Sequence, residues 1–198
     1  MLQNSFEIDS IIDSHEIEIL KKFYGALPKR LNDGVEKKAY TTGFPYNTLP
    51  LKKLKAKLTD VFGDFTVTVA MFLEEYKPWN VHTDYHKGDS DPYYAILIPL
   101  DYEDKNTHTI IFNEIATDKD WKTKLQTKKN YPYSEAEYKL LAHVDKNLLE
   151  KLTIDKVCKW EKGKLIAWHR KLAHTSDNFI QDNITRKIAL VLFLNEKV

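Results

Sequence analysis

Residues 65 to 84 read FTVTVAMFLEEYKPWNVHTD and join an alternating apolar segment to a His-x-Asp pair. Side chains alternate between the two faces of an extended strand, so the pattern from Phe65 to Leu73 predicts a β-strand. In an extended segment His82 and Asp84 point to the same face, where both can reach one ion. The segment therefore predicts a strand that leads into a candidate metal site.

The composition predicts the general class of the protein. The chain has 198 residues, with 30 basic and 29 acidic side chains and a single cysteine, Cys158. Its length predicts one domain over residues 1–198 with a sizeable core. The charge balance argues against nucleic acid as a partner, and no apolar run approaches the roughly 20 residues that span a membrane. The lone cysteine and the lack of a signal-peptide pattern at residues 1–10 predict a cytoplasmic protein.

The hydrophobic pattern predicts a mainly β protein with flanking helices. Apolar residues recur at helical spacing over 13–27 and 48–62, which predicts N-terminal helices within 13–62. Asp13 and Glu16 resemble a capping box at the start of the first helix, and Gly63 predicts the end of the second. Short apolar or β-branched segments predict further strands at 93–100, 107–113, 157–160, 164–169 and 187–194. The first two of these could form a hairpin, and Pro99 predicts an end or an edge there. The pattern favours a β-sandwich or barrel.

Residues 114–156 interrupt the strand pattern and predict a helical insertion. The segment holds Trp121, a lysine-rich stretch and Tyr131-Pro132-Tyr133. Ser134 and Glu137 form a capping-box pattern, and the apolar residues that follow predict one amphipathic helix. The aromatic residues are compatible with a lid over a substrate or with a helical cover packed on the sheet.

The third ligand must come from elsewhere in the chain, and His174 is the candidate. Two imidazoles and one carboxylate form the facial triad of non-haem Fe(II) enzymes, which leaves open positions on the metal. A structural zinc site usually closes its shell, often with cysteines, and this chain has only one. Alternatives stay open for single residues, because His82 could be an ordinary hydrogen-bonded histidine, and His86 or His169 could compete as ligands. His108 and His143 are expected at the surface.

The order of the motifs resembles a known family. Tyr76-Lys77-Pro78 leads into His82-x-Asp84, a strand ending at His169 precedes His174, and Thr185-Arg186 opens the last apolar strand. This set resembles the Fe(II)/2-oxoglutarate-dependent dioxygenases, particularly the prolyl-hydroxylase-like and phytanoyl-CoA-hydroxylase-like branches. The resemblance covers residues 69–113 and 163–195. It implies a double-stranded β-helix, the jelly roll that is also found in cupins.

The resemblance implies roles for the site residues. His82, Asp84 and His174 would be the catalytic metal ligands for Fe(II), which works with 2-oxoglutarate and O2. Arg186 would bind the distal carboxylate of 2-oxoglutarate, because a guanidinium offers a bidentate fork. Lys187 would then point away from the site. Alternatively, Arg186 could cap a strand end through a surface ion pair.

A hydroxyl group often helps to hold the co-substrate in this family. The candidates are Tyr76, Tyr94 and Thr109, each of which could instead be ordinary barrel packing. Trp79-Asn80 stands where a glycine is common in prolyl-hydroxylase-like sequences, so Trp79 could shape the substrate mouth or could pack the loop.

The resulting hypothesis is a dioxygenase that hydroxylates an unidentified small molecule or peptide with release of succinate and CO2. Two alternatives remain. The first is a non-catalytic jelly-roll binding module, and the second is a cupin-type metalloenzyme that does not use 2-oxoglutarate. The sequence does not indicate the oligomeric state.

Overall fold

The protein is described here from a computed structural model. The described residues are 5–28, 30–34, 37–48, 51–85, 92–103, 105–116, 118, 120–128 and 133–196. The strands are β1 Phe6–Ile8, β2 Arg30–Gly34, β3 Lys37–Gly43, β4 Phe65–Glu75, β5 Pro92–Asp101, β6 His108–Ile115, β7 Ile154–Lys159, β8 Leu165–His169, β9 Leu172–Ser176 and β10 Lys187–Glu196. The helices are α1 Ser14–Ala26, α2 Lys52–Phe62, α3 Trp121–Lys124, α4 Glu135–Leu140 and α5 Lys146–Leu149, with a 3-10 helix at Phe179–Asp182.

The strands form two antiparallel sheets. The large sheet has the order β1-β8-β5-β10-β4-β3-β2, and the small sheet has the order β7-β6-β9. Apolar side chains from both sheets pack together between them, including Leu97 of β5, Ile111 of β6 and Val191 of β10. This arrangement is the predicted jelly roll, so the predicted fold class is confirmed.

The other two apolar layers lie on the outer faces of the sheets. Helices α1 and α2 cover the large sheet through residues such as Leu20 and Leu58. Asp13 caps α1 with both bonds of a capping box, and Gly63 ends α2 at φ 69°, as the sequence predicts. The outer face of the small sheet is covered by residues of the insertion, including Trp121 and Leu141. No helix in the described part of the chain is long and apolar enough to cross a membrane.

Strand β4 does not keep one face over its whole length. Its pairing with β10 shifts register between Phe193 and Leu194. On one side of the shift, Val69 packs between the sheets, whereas Val67 packs against the helices. A bulge inserts one residue and so exchanges the two faces of a strand. The prediction of one shared face is therefore correct only from Val69 onward; the residues predicted to share it were Phe65, Val67, Val69, Met71 and Leu73.

The predicted hairpin of β5 with β6 is wrong, because these strands lie in different sheets. The prediction that Pro99 ends a strand or lies at an edge is wrong for β5, which continues to Asp101 between β8 and β10. The ladder between β5 and β8 ends at the pair Leu97 and Ile166. Proline is tolerated at Pro99 because the missing N–H falls beyond this ladder.

Among the described residues of the insertion, two short helices, α4 and α5, replace the single helix predicted after Ser134, and α3 lies before them. Ser134 caps α4 with the predicted capping box. The helix stops at Leu140, and Asp145 caps the separate helix α5 by accepting a bond from the Leu148 backbone. Because the chain turns between the two helices, Tyr138 is exposed although the helical pattern predicted it beside buried Leu141. Tyr131 and Pro132 lie outside the described residues.

Candidate active site

The two candidate histidine ligands lie opposite each other in one backbone bridge. The His82 N–H donates to the His174 carbonyl at 3.0 Å, and the His174 N–H donates to the His82 carbonyl at 2.9 Å. Such reciprocal pairing in an antiparallel ladder places the two side chains side by side. The ring centroids are 4.3 Å apart. The last residues of the 65–84 segment therefore join the small sheet beside β9.

Asp84 completes the group of possible metal ligands. Its carboxylate oxygens lie 4.0 Å from Nε2 of His82 and 3.4 Å from Nε2 of His174. The three ligand atoms all lie within 4.8 Å of one another. Ligand atoms that are about 2.1 Å from one ion lie roughly 3 Å apart in neighbouring positions. A small movement of the side chains therefore brings the three into coordination, and their chemistry fits Fe(II).

The backbone fixes which nitrogen of each ring can bind a metal. Nδ1 of His82 lies 2.8 Å from the Asn80 carbonyl, and Nδ1 of His174 lies 3.2 Å from the Leu172 carbonyl. A carbonyl oxygen only accepts, so Nδ1 carries the proton and Nε2 keeps its lone pair for a metal. Burial lowers the pKa of His174 to about 4, which keeps the ring neutral at physiological pH.

Arg170 holds the backbone of Asp84, a role that sequence reasoning missed. The Asp84 N–H donates to the Arg170 carbonyl at 3.1 Å, and Nη2 of Arg170 donates to the Asp84 carbonyl at 3.0 Å. The same guanidinium donates to Asn195 at 2.8 Å and stacks 4.8 Å from the Phe193 ring. The only available signal was that arginine is scarce in this lysine-rich chain.

A cavity of about 420 Å³ opens beside the three ligands, between the two sheets. This volume is in the range of ligand-binding cavities. Its walls are mostly apolar and include Leu73, Leu97, Trp168 and Val191. Trp79, which could shape a substrate mouth, lines the cavity and lies 5.5 Å from the His82 ring between centroids.

The structure places Arg186 outside this cavity, in contrast to the expectation. The guanidinium lies on the outer face of the large sheet, 3.4 Å from Glu74 and 3.1 Å from Asp101, and its side chain is 41% exposed. Lys187 points between the sheets instead, and its side chain is 0% exposed. The expected orientations of Arg186 and Lys187 are therefore reversed: at the start of β10, Lys187 faces the cavity side and Arg186 faces the outer side.

Lys187 lies in a closed environment next to the cavity. Its ammonium is 3.3 Å from Glu75 and 3.9 Å from Asp177. The rings of Trp160 and Phe179 lie 4.2 Å and 4.4 Å from Nζ. Nζ forms ion pairs, but no described residue accepts a hydrogen bond of good geometry from it. A buried ammonium with unsatisfied donors is a candidate partner for a ligand carboxylate.

The three candidate hydroxyl groups separate in the structure. Tyr76 donates to Glu74 at 2.9 Å and so lies with Arg186 on the outer face. Tyr94 is buried in the core between the large sheet and the helices, where burial raises its pKa to about 12. Thr109 lines the cavity, and its hydroxyl accepts a bond from Nε1 of Trp160 at 2.8 Å. Of the three, only Thr109 is near the expected co-substrate position.

The remaining histidines have other environments. His169 ends β8, and its Nδ1 accepts from the Lys171 backbone at 3.2 Å, outside the ligand group. His108 lies 3.1 Å from Asp177. His143, expected at the surface, is largely covered, and its Nε2 lies 3.2 Å from the Trp79 carbonyl and from Oγ1 of Thr175. His86 lies outside the described residues. The insertion thus touches the wall of the cavity through His143.

Comparison with known proteins identifies the fold. No protein-family model and no curated protein sequence matches this chain. A 2OG-Fe(II) oxygenase family structure from Burkholderia pseudomallei matches with a TM-score of 0.62 and 10% identity, over 97% of this chain and 85% of that chain. A Pseudomonas putida prolyl-4-hydroxylase matches with a TM-score of 0.58 and 8% identity, over 98% of this chain and 94% of that chain. HygX from Streptomyces hygroscopicus, with nickel and 2-oxoglutarate bound, matches with a TM-score of 0.60 and 13% identity, over 99% of this chain and 84% of that chain.

The chain has the fold of the 2OG-Fe(II) oxygenases. The strands that enclose the cavity are β8, β5, β10 and β4 in the large sheet and β7, β6 and β9 in the small sheet. The His82 bridge adds a short fourth position to the small sheet beside β9. In this oxygenase fold, the three possible ligands lie at one end of the cavity between the sheets.

Proposed function

We propose that the protein is an Fe(II)- and 2-oxoglutarate-dependent dioxygenase that hydroxylates an organic substrate, with release of succinate and CO2. The observation that carries the proposal is the convergence of His82, Asp84 and His174 on one side of a mostly apolar cavity. The oxygenase fold supports the same conclusion. Bound iron would supply the activation of dioxygen, a reaction that the side chains of the chain do not perform themselves.

The chain's own residues would hold the metal and leave part of its surface open. The three ligands approach from one side, so co-substrate and dioxygen could occupy the other side. Arg170 keeps Asp84 in place through two backbone bonds. Carbonyl groups keep both imidazoles oriented with Nε2 toward the site. These contacts restrict the ligands before any metal arrives, which favours binding.

We assign the binding of the distal carboxylate of 2-oxoglutarate to Lys187, in place of Arg186. Lys187 is a buried cation next to the cavity, and its donors are not satisfied by a well-aligned acceptor among the described residues. Arg186 pairs with Glu74 and Asp101 on the outer face of the large sheet, and none of these three residues lines the cavity, so Arg186 cannot meet a ligand between the sheets. A charge-assisted bond to Lys187 would orient the co-substrate between the metal and the floor of the cavity.

The cavity would accept a small molecule or a side chain of a peptide. Its walls include the apolar residues Trp168, Leu97 and Val191, which would help to shelter a reactive site from water. Among the described residues, those of the insertion cover the outer face of the small sheet and do not line this cavity. We therefore expect the Trp79 region to influence substrate choice more directly than the insertion.

A metal titration tests the first step of the proposal. The wild-type protein should bind one Co(II) or Fe(II) per chain in calorimetry under anaerobic conditions. His174→Ala should abolish stoichiometric binding, because a facial site with two remaining ligands holds the ion poorly. His169→Ala is the matched control, because this histidine lies outside the ligand group. Equal metal affinity in the wild type and His174→Ala would remove His174 from the site.

A further inference from the structure

The floor of the cavity carries a carboxylate that belongs to the protein. Glu75 lines the cavity beside the apolar residues of β4, is 4% exposed and lies 3.3 Å from Nζ of Lys187. Lys187 itself is 0% exposed and is not part of the cavity wall. A ligand that enters the cavity therefore meets Glu75 before it can reach the cation.

The second carboxylate beside Lys187 has a different function. Asp177 accepts bonds from the Thr107 hydroxyl at 2.8 Å and from the His108 backbone at 2.7 Å. It is buried behind the cavity and holds the start of β6 in place. Because these bonds fix Asp177, it stays as a counter-ion of Lys187 whatever occupies the cavity. Of these two carboxylates only Glu75 lines the cavity, so Glu75 is the one that a ligand meets and could replace.

We propose that Glu75 is a built-in competitor for the distal carboxylate of the co-substrate. This inference rests on the proposed function. Lys187 carries one formal positive charge. The carboxylates of Glu75 and Asp177, which lie 3.3 Å and 3.9 Å from its Nζ, together carry two negative charges. An additional carboxylate in the same pocket is repelled unless Glu75 leaves Lys187. Co-substrate binding thus requires exchange of one carboxylate for another, and Glu75 sets its affinity and its selectivity.

Removal of the Glu75 charge tests this exchange. Binding of 2-oxoglutarate to the Zn(II)-loaded protein would be measured by calorimetry for the wild type and Glu75→Gln. Glutamine keeps the shape of the side chain and leaves Asp177 as the counter-ion of Lys187. We expect Glu75→Gln to bind 2-oxoglutarate about tenfold more tightly, because the cation no longer has to be released first.

Two controls separate this effect from a general change of the site. Affinity for 2-oxobutanoate, which has no distal carboxylate, should stay the same in Glu75→Gln. Glu74→Gln removes a charge from the adjacent position of β4, where the carboxylate faces Arg186 on the outer side. That variant should leave 2-oxoglutarate affinity unchanged. If Glu75→Gln does not fold, Glu75→Asp withdraws the carboxylate by one methylene and should tighten binding in the same direction.

The outcomes distinguish this inference from the proposed function. Equal or weaker 2-oxoglutarate binding by Glu75→Gln, with clear binding by the wild type, would overturn the competitor role and leave the dioxygenase proposal intact. Equal tightening for 2-oxobutanoate would also overturn it, because the effect would not involve the distal carboxylate. Metal binding without 2-oxoglutarate binding in either protein would overturn both proposals.

Discussion

At the scale of single residues, two ion pairs link the end of β4 to neighbouring residues at the start of β10, on opposite faces of the large sheet. Glu74 and Arg186 pair on the outer face of the large sheet. Glu75 and Lys187 pair on the inner face, beside the cavity. The two pairs are adjacent in the chain, yet only the inner pair can contact a ligand between the sheets. This separation allows the charges to be tested independently.

Substitution of the two cations should give different results. Arg186→Met should leave 2-oxoglutarate affinity nearly unchanged and lower stability by about 0–1 kcal/mol, because Arg186 is partly exposed. The double variant Glu75→Gln/Lys187→Met should bind 2-oxoglutarate roughly thirtyfold or more weakly than the single variant Glu75→Gln. The two variants differ only at Lys187, so the difference in affinity reports on the cation. The double variant removes both charges of the pair, which avoids a buried uncompensated Glu75. Calorimetry on the metal-loaded proteins measures both effects, and loss of affinity only in Arg186→Met would return the role to Arg186.

The orientation of Arg186 and Lys187 could not be predicted from the sequence, whereas the meeting of the three ligands could. His82 and Asp84 are two residues apart in an extended segment, so their common face follows from geometry alone. Strand β10 is apolar on both faces, because helices cover one side and the small sheet covers the other. A strand buried on both faces has no alternation that fixes which residues point inward.

At the scale of secondary-structure elements, the turn before β8 anchors α1 to the barrel. The Gly163 N–H donates to the Pro99 carbonyl at 3.0 Å, and the Gly163 carbonyl accepts from Ile12 at 3.3 Å. Gly163 has φ 79°, and a Cβ atom there would lie 2.3 Å from the Ile12 carbonyl oxygen. Both the backbone conformation and the close approach therefore require glycine.

Gly163→Ala should lower the free energy of unfolding by about 2–4 kcal/mol, because it combines a strained φ with a backbone overlap. Gly25→Ala is the matched control. A Cβ at Gly25 in α1 meets no atom within 4 Å, and alanine favours the helix by about 0.5–1 kcal/mol. Urea unfolding measures both changes. Equal stability of Gly163→Ala and the wild type would contradict the described turn.

The elements with strong local signals were predicted, and those that depend on distant partners were not. Capping boxes at Asp13 and Ser134 located the starts of two helices. Strands β1, β2 and β3 were not predicted, because they are short or polar and form by pairing with other strands: β1 with β8, β3 with β4, and β2 with β3. The single helix expected after Ser134 was wrong, because the pattern did not show the turn before Asp145.

At the scale of the whole molecule, the barrel is stabilised by three apolar layers, and the insertion supplies one of them. Trp121 and Tyr133 pack with Ile110 and Phe112 on the outer face of the small sheet. The same insertion brings His143 against the Thr175 and Trp79 region behind the metal site. Residues of the insertion therefore contribute to the stability of the strand that holds His174.

The burial of His143 predicts a pH dependence of stability. Desolvation lowers the pKa of His143 below its ordinary value of 6.5, so the folded protein binds a proton there less readily than the unfolded chain. The contribution of neutral His143 to the free energy of unfolding is then fully present above pH 6.5. This contribution is lost as the pH falls below 6.5 toward the pKa of the folded state. His143→Gln should show a smaller loss between pH 7 and pH 5 in urea unfolding. His174 is present in both proteins, so the comparison isolates His143, and parallel curves would contradict its buried environment.

The most direct test of the account is the visible spectrum of the anaerobic protein with Fe(II) and 2-oxoglutarate. We predict a weak charge-transfer band that appears only when both are present and saturates at one equivalent of Fe(II). The band should be absent in His174→Ala and retained in His169→Ala, because only His174 belongs to the ligand group. A folded, iron-bound wild-type protein that shows no band at saturating 2-oxoglutarate would contradict the proposed dioxygenase and favour a metalloenzyme of another type.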